Sequence, residues 1–271
     1  MRDWRLERKD IHFIVETLMP GTRDKGRVVE LVQQDEAFLT GMLEDERLFE
    51  RLMAGKETVL QVTPFLAFVV LLRRARRDLA EASFTTELRS LQKVILFDTK
   101  EVVALLEQDS LRSYLASMLA SFTRIESLSI AIRVRQGIYR RYRTNELDIE
   151  GLIRYSQAVE DARRFEPYRR VGDVCLFLTG LFPKAIETRY RYPVSGEIRP
   201  RARSRTIASR EDYEAHGRAF YQLASEHDMA EAAGLKNVLA ALSEHFILAE
   251  KVLTFVGDRY LGMIKHDLFP L

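Results

Sequence analysis

A chain of 271 residues is long enough for one large hydrophobic core or for two smaller ones, and its 46% of apolar residues excludes global disorder. The 42 basic and 40 acidic residues leave a net charge of +2, which excludes bulk electrostatic binding to nucleic acid but leaves room for a local basic patch. Its 13 glycines and 7 prolines are few for this length, and their scarcity favours helices joined by short links.

Short amphipathic helices are predicted in the first part of the chain. Apolar residues recur at helical spacing over 11–18, a stretch that Pro20 closes, and again over 28–43 and 48–53. Isolated helices shorter than about 12–15 residues are marginal in water. We therefore expect these pieces to be held by packing against one another.

The most apolar window of the chain covers residues 59–72. Thr63 and Pro64 predict a helix start, because threonine caps the first turn and proline lacks the N–H that would be unpaired there. The predicted helix, 64–81, becomes basic after Leu72, so we expect its first half to be buried and its end to reach solvent. A membrane span needs about 20 apolar residues, so this shorter window indicates a core helix and no membrane partner.

Helices are also predicted through the middle of the chain. Asp98 and Asp148 are expected to cap two of them, and a third, opened by Asp109, carries the clearest apolar stripe. Residues 174–182 are apolar on every side. This pattern favours a fully buried helix, with a buried strand as the alternative.

Residues 188–206 interrupt the helical rhythm. They contain two prolines and a Ser-Gly turn signal, which predicts a long arginine-rich loop with the option of a short hairpin about 194–197. Helical spacing returns at Ser209 and again over 235–256, where one long helix is expected to end at Gly257.

The whole pattern predicts an all-α fold, an irregular multi-helix bundle of about ten to thirteen helices, with the arginine-rich loop as its main excursion. Neither 145–148 nor 188–206 has the composition of a flexible linker. A single all-α domain over 1–271 is therefore expected, and two sub-lobes, 1–145 and 146–271, are the alternative division.

No familiar catalytic, cofactor or metal motif occurs in the sequence. None of the five histidines follows a glutamate by three residues, and the pair Asp212 and His216 lacks a second histidine that would complete a zinc site. Glycine-rich phosphate loops and the G-x-S-x-G nucleophile elbow are absent. Cys175 lies in an apolar run, so we expect it to be buried rather than nucleophilic. The prediction is no catalytic residue, no cofactor and no metal, with the balance against an enzyme.

Arginine is concentrated in two stretches where tyrosine accompanies it. Arginine forks suit phosphate groups, and tyrosine rings stack on bases or on guanidinium groups. Most such runs are solvated faces or arginines paired with acids from other helices, so the pattern has low specificity. The residues predicted to contact an anionic partner are Arg189, Arg191, Arg199, Arg201, Arg203 and Arg205. The second stretch contains Arg133, Arg135, Arg140, Arg141 and Arg143, with Tyr139 and Tyr142.

Three segments resemble parts of uncharacterised bacterial helical proteins. They are PFLAFVVLLRRARRDL at 64–79, YRRVGDVCLFLTGLFP at 168–183 and SREDYEAHGRAFY at 209–221. The resemblance implies an all-α fold and a bacterial cytosolic setting, and it implies no activity and no site residue. A single cysteine and a charged N-terminal stretch without a secretory signal also predict a reducing cytoplasm.

The leading hypothesis is a soluble, non-catalytic binding or regulatory module that contacts a protein or an anionic ligand. Its basis is the lack of chemical motifs together with the arginine-rich stretch. A protein partner or a homo-oligomer fits this hypothesis, while nucleic acid is less favoured because the net charge is small. The alternative is an enzyme or sensor with a cofactor, metal or small-molecule pocket between helices.

Overall fold

The computed structural model describes residues 6–82, 85–89, 92–96, 98–124, 127–135, 138–145, 147–183, 186 and 209–269. For the strands, and for Lys56, Leu60 and Met263, the description covers the backbone only. Within these residues the chain forms fifteen α-helices, twelve of them with seven or more residues. The predicted multi-helix fold is confirmed, and the helix count lies slightly above the expected range.

The helix bounds, in chain order, are α1 (Arg8–Leu18), α2 (Lys25–Gln34), α3 (Glu36–Leu43), α4 (Glu46–Met53), α5 (Lys56–Gln61), α6 (Pro64–Glu81), α7 (Thr99–Glu107), α8 (Asp109–Ser121), α9 (Ile149–Ala158), α10 (Phe165–Leu181), α11 (Arg210–Glu226), α12 (Asp228–Ala232), α13 (Lys236–Glu244), α14 (Phe246–Val256) and α15 (Lys265–Leu268). Among the residues described, no helix is both long enough and apolar enough to cross a lipid bilayer.

Two compact units make up the chain. Unit 1 contains Met1–Thr85, Leu96–Arg124 and Phe255–Leu271, and unit 2 contains Thr86–Ile95 and Ile125–Thr254. The C-terminal residues thus belong to the same unit as the N-terminal helices, and this division differs from the sub-lobes 1–145 and 146–271. A single domain over 1–271 stays a prediction.

Two helix starts in unit 1 are joined by one buried carboxylate. Asp10 has no exposed surface, and it accepts hydrogen bonds from the N–H of Glu7 at 2.9 Å and from the N–H and the hydroxyl of Thr63, both at 2.8 Å. The Thr63 hydroxyl accepts from the N–H of Leu66 at 3.1 Å, so Thr63 caps α6, which begins at Pro64 as predicted. The carboxylate therefore holds the start of α1 against the start of α6.

The basic end of α6 reaches solvent only in part: Arg77, Ala80 and Glu81 are exposed, as expected, whereas another face of the same stretch packs inside unit 1. Ala75 and Leu79 are fully buried, and the Arg73 side chain is only 12% exposed. Glu44, which follows α3, forms ion pairs with Arg73 and Arg76. A carboxylate from another part of unit 1 thus allows Arg73 and Arg76 to be partly buried, and the spacing of residues within α6 does not predict this partner.

Unit 2 contains the closely packed pair α10 and α11. A Cβ atom at Gly172 would lie 2.6 Å from the ring of Tyr221, and one at Gly217 would overlap the ring of Phe246. Glycine at these two positions therefore permits the approach of the neighbouring elements. All residues from 171 to 181 are buried, so the fully buried helix predicted here is confirmed and the alternative of a strand is wrong.

Two β-hairpins accompany the helices, and neither is predicted from the sequence. Strand β1 (Thr85–Arg89) pairs with β2 (Gln92–Leu96), and β3 (Ser127–Arg135) pairs antiparallel with β4 (Ile138–Asn145). Helix α9 lies beside β3 in unit 2. Each hairpin is a separate two-stranded sheet, so the helices still determine the fold class.

The last part of the chain departs from a single long helix. The predicted helix at 235–256 is two helices, because α13 ends before His245 and α14 begins after it. A π-helical turn (Gly257–Leu261) and a 3-10 turn (Gly262–Ile264) then lead into α15. The arginine-rich loop predicted at 188–206, with its optional hairpin, lies outside the described residues.

Candidate functional site

The arginines predicted to contact an anionic partner lie outside the described residues, so their role stays a prediction. They are Arg189, Arg191, Arg199, Arg201, Arg203 and Arg205. The second arginine stretch falls on β3 and β4, where the backbone register is defined. That hairpin is the basic stretch that lies within the described residues.

The register of β3 and β4 sorts their residues onto two faces. Paired residues of an antiparallel ladder share a face, and so do alternate residues along one strand. The pairs on one face include Arg133 with Tyr139, Ala131 with Arg141, and Ser129 with Arg143. We call these six positions the basic face, since they combine three arginines and a tyrosine with small or polar residues.

The opposite face of the hairpin is mostly apolar. Its pairs are Leu128 with Thr144, Ile130 with Tyr142, and Ile132 with Arg140. Alternation of apolar and polar residues is typical of a strand with one face on a core. The period of two along 128–134 is the sequence signal that identifies β3.

The basic face ends at an irregularity in the ladder. Arg133 pairs with Tyr139, but Arg135 pairs with Ile138, so the register shifts by one residue between these two pairs. A β-bulge increases the local twist and changes the direction of the strand. For this reason Arg135 is not counted as part of the basic face.

The arginines of unit 1 form a network with carboxylates. Arg74 contacts Glu46, and its Nε lies 2.7 Å from Oδ1 of Asp78. Oδ2 of Asp78 accepts a hydrogen bond from Nε of Arg259 at 3.0 Å. Together with the ion pairs of Glu44, these contacts pair the guanidinium groups of unit 1 with carboxylates of the same unit. They indicate a structural network in place of an open anion site.

Glu44 is the carboxylate whose ionisation depends most clearly on this network. Burial by itself raises the pKa of Glu44, but the hydrogen bond from Arg73 and the charges of Arg73, Arg76 and Arg112 outweigh it, and the pKa lies below its ordinary value of 4.5. Folding therefore favours the ionised carboxylate. The resulting stabilisation is complete above the pKa of the unfolded chain and is lost as the pH falls through the lower pKa of the folded protein.

We expect the substitution Glu44→Gln to lower the free energy of unfolding near neutral pH, because arginines at the end of α6 would lose their carboxylate partner. The difference from the wild type should shrink as the pH falls below the ordinary pKa of 4.5, where the wild-type carboxylate is increasingly protonated. Urea unfolding curves over a pH series measure this difference.

The exposed Glu36 of α3 provides the matched control. Glu36→Gln should change the free energy of unfolding by less than about 0.5 kcal/mol at every pH. A deficit for Glu44→Gln that stays constant from neutral to acid pH would contradict the assignment of Glu44 as an ionised partner of the arginines.

Cys175 is fully buried, as predicted. Burial, with the negative charge of Asp173 nearby, raises the pKa of the Cys175 thiol. The thiolate is the nucleophilic form of cysteine, so this thiol is a poor nucleophile. Asp173 itself accepts hydrogen bonds from the hydroxyl of Tyr221 and from Arg169, both at 3.0 Å, which makes it a link between α10 and α11.

Two histidines take part in local backbone contacts. Nδ1 of His216 lies 2.7 Å from the carbonyl oxygen of Asp212, and Nδ1 of His227 accepts from the N–H of Met229 at 3.1 Å, so that His227 caps α12. Over the described ranges, no group of three or more His, Cys, Asp or Glu residues is arranged to hold a metal ion.

Unit 1 also contains an apolar cavity of about 60 Å³. Helices α4, α5 and α6 form part of its wall, and the segment that follows α14 forms the rest. Its described lining residues are all apolar: Leu52, Met53, Val59, Pro64, Ala67, Phe68, Leu71, Leu261, Ile264 and Leu268. No single apolar stripe in the sequence predicts this cavity, because its wall combines residues from distant parts of the chain.

Comparisons with protein-family models, with curated proteins and with solved structures give no match for this chain. The resemblance to bacterial helical proteins therefore stays a prediction. A fold class alone does not determine function, so the geometry of the protein's own residues has to support any functional proposal.

Proposed function

We propose that this protein is a non-catalytic binding or regulatory module whose basic face contacts an anionic ligand. The observation that carries the proposal is the register of β3 and β4, which assigns Arg133, Arg141 and Arg143 to one face and the apolar residues of β3 to the other. Guanidinium groups stay charged at physiological pH, and their paired N–H donors match the oxygens of phosphate groups. The proposal includes the bacterial, cytoplasmic setting predicted from the sequence.

The arrangement of the three arginines favours a ligand with several negative groups. Arg141 and Arg143 are separated by one residue on β4, which corresponds to about 7 Å along the strand. Arg133 is paired with Tyr139, the next position of β4 on the same face as Arg141. Such a group of neighbouring charges can contact successive phosphates of one chain, and Tyr139 adds a ring on which a base can stack.

The rest of the chain adds little positive charge, so the affinity for an anionic ligand has to come from the basic face itself. A net charge of +2 provides little long-range attraction, so binding depends on a few phosphate contacts and is sensitive to salt. The stretch that contains Arg199, Arg201 and Arg203 has the same residue chemistry, and we include it in the proposal as a second contact. It lies outside the described residues.

The test is binding of fluorescently labelled short RNA, short DNA and nucleoside triphosphates to the full chain over a salt series. We expect one of these probes to bind at low salt. The combined change Arg133→Ala, Arg141→Ala and Arg143→Ala should weaken its binding at least about tenfold and reduce the dependence of log affinity on log salt by about 2 to 3. Far-ultraviolet circular dichroism checks that the variant keeps its helical fold.

Arg140 offers a matched control within the same hairpin, because the register assigns it to the opposite face with Ile132. Arg140→Ala removes the same charge and should weaken binding much less than any one of the three substitutions on the basic face. The variant with Arg199, Arg201 and Arg203 replaced by alanine tests the second stretch in parallel. Absence of binding at low salt, or equal losses for Arg140 and the basic face, would contradict the proposal.

A protein partner or a second copy of the chain is the other form of binding module that fits this sequence. Size-exclusion chromatography with light scattering measures self-association directly. The rival class, an enzyme or sensor with a small-molecule pocket, is favoured by the apolar cavity of unit 1. Native mass spectrometry and elemental analysis of the purified protein distinguish it, since a stoichiometric small molecule or metal would support that class.

A further inference from the structure

The apolar cavity of unit 1 is large enough for water but offers it few hydrogen-bond partners. A buried water molecule needs roughly 10–15 Å³ and two to four polar partners. The cavity measures about 60 Å³, and the lining residues that the structure describes offer only apolar side chains. Apolar cavities of this kind stay dry and accept apolar guests. The chemistry of the wall therefore selects against charged and hydrogen-bonding ligands.

One side of the cavity is formed by irregular backbone. Leu261 closes the π-helical turn, Ile264 closes the 3-10 turn, and Leu268 closes α15. Gly262, the first residue of the 3-10 turn, has a φ of +31°, which lies in the region that glycine adopts at low cost. Single π-helical turns are frequent at functional sites, because the extra residue shifts the side chains that follow.

This side of the cavity is held in place on both flanks. Before the wall residues, the hydroxyl of Tyr260 donates to Oδ2 of Asp78 at 2.9 Å, and Arg259 donates to the same oxygen at 3.0 Å. After them, the ring of Phe269 stacks on that of Phe68 with centroids 5.8 Å apart. Because the segment is tied at both ends, it cannot simply collapse into the space beneath it.

We propose that this cavity is a binding site for a small uncharged hydrocarbon group, of the size of a single aromatic ring or a short alkyl chain. The wall supplies the apolar contacts, the volume of about 60 Å³ suits a small group, and the described lining residues offer no polar side chain to a charged head group. The site belongs to unit 1, whereas the basic face belongs to unit 2, and the two proposals stand independently.

The test uses benzene as the probe and the thermal unfolding midpoint of the full chain as the readout. Benzene should raise the midpoint by about 2 °C or more near saturation, because a ligand that binds only the folded state stabilises it. Benzoate has the same ring with a charge, and it should leave the midpoint unchanged. Saturation of the shift with benzene concentration shows that the effect arises at a site.

A cavity-filling variant locates that site. Ala67 lines the cavity and is 4% exposed, so Ala67→Leu should fill the space and abolish the benzene shift. Ala80→Leu adds the same group at an exposed position of the same helix and should keep the shift. If Ala67→Leu fails to fold, Ile264→Phe fills the cavity from the opposite wall and takes its place.

Each outcome decides the proposal. A saturable benzene shift that benzoate lacks and that cavity filling removes supports it. No shift in the wild type, an equal shift with benzoate, or a shift that survives in a folded cavity-filled variant overturns it.

Discussion

Replacing Gly217 with alanine is expected to lower the free energy of unfolding by about 2–4 kcal/mol. The added Cβ would overlap the ring of Phe246 and would lie 3.0 Å from the Cβ of Cys175. Both neighbours are fully buried, so neither can move aside without disturbing the packing of α10 and α11. Glycine is otherwise a poor residue for the interior of a helix, and the close approach explains its presence in α11.

Urea unfolding followed by circular dichroism measures this loss, and Gly41→Ala is its control. Gly41 lies inside α3, where an added Cβ would meet no atom within 4 Å. The same substitution there should stabilise the protein by about 0.5–1 kcal/mol, since alanine has the higher helix propensity. If Gly217→Ala proved as stable as the wild type, the close contact between α11 and Phe246 would be wrong.

Asp10→Ala is expected to lower the free energy of unfolding by about 3 kcal/mol, because three donors, two of them buried, would lose their acceptor at once. These donors are the N–H of Glu7 and the N–H and hydroxyl of Thr63. The starts of α1 and α6 would also lose a negative charge that their helix dipoles favour. The effect should appear as a lower midpoint in both thermal and urea unfolding.

Two further variants separate the buried carboxylate from an ordinary helix cap. Asp10→Asn keeps the shape but places an amide donor against donors, so it should restore only part of the stability. Asp24→Ala removes the cap of α2, whose carboxylate accepts from the N–H of Arg27 at 3.0 Å at an exposed site, and should cost only about 1 kcal/mol. Equal losses of unfolding free energy for Asp10→Ala and Asp24→Ala would show that the link between α1 and α6 stabilises the protein no more than an ordinary helix cap does.

Helix starts were the features that the sequence predicted best. Thr63 caps α6, Asp148 accepts from the N–H of Gly151 at 3.1 Å, and Ser209 forms a reciprocal capping box with Asp212. A cap depends on residues within three positions of one another, so the local sequence contains the whole interaction. Asp98 precedes α7 as expected, but its side chain makes no capping hydrogen bond to that helix.

The candidate sites were harder to predict. The arginine content of β4 was visible, but only the pairing with β3 separates Arg140 from Arg141 and Arg143 by face. The cavity of unit 1 brings together Leu52 and Leu268, which are more than two hundred residues apart. Neither arrangement has a local signal as strong as a helical stripe.

Because helical spacing and helix caps are local, the sequence alone determined the helical fold class, most helix starts, and the burial of α10 and its Cys175. Tertiary structure decided the two hairpins, the packing of the basic end of α6, the break at His245 and the cavity. These features depend on which distant residues become neighbours. Burial and charge pairing at such contacts depend on several segments that are distant in the sequence, so they are decided only when whole helices and strands pack together.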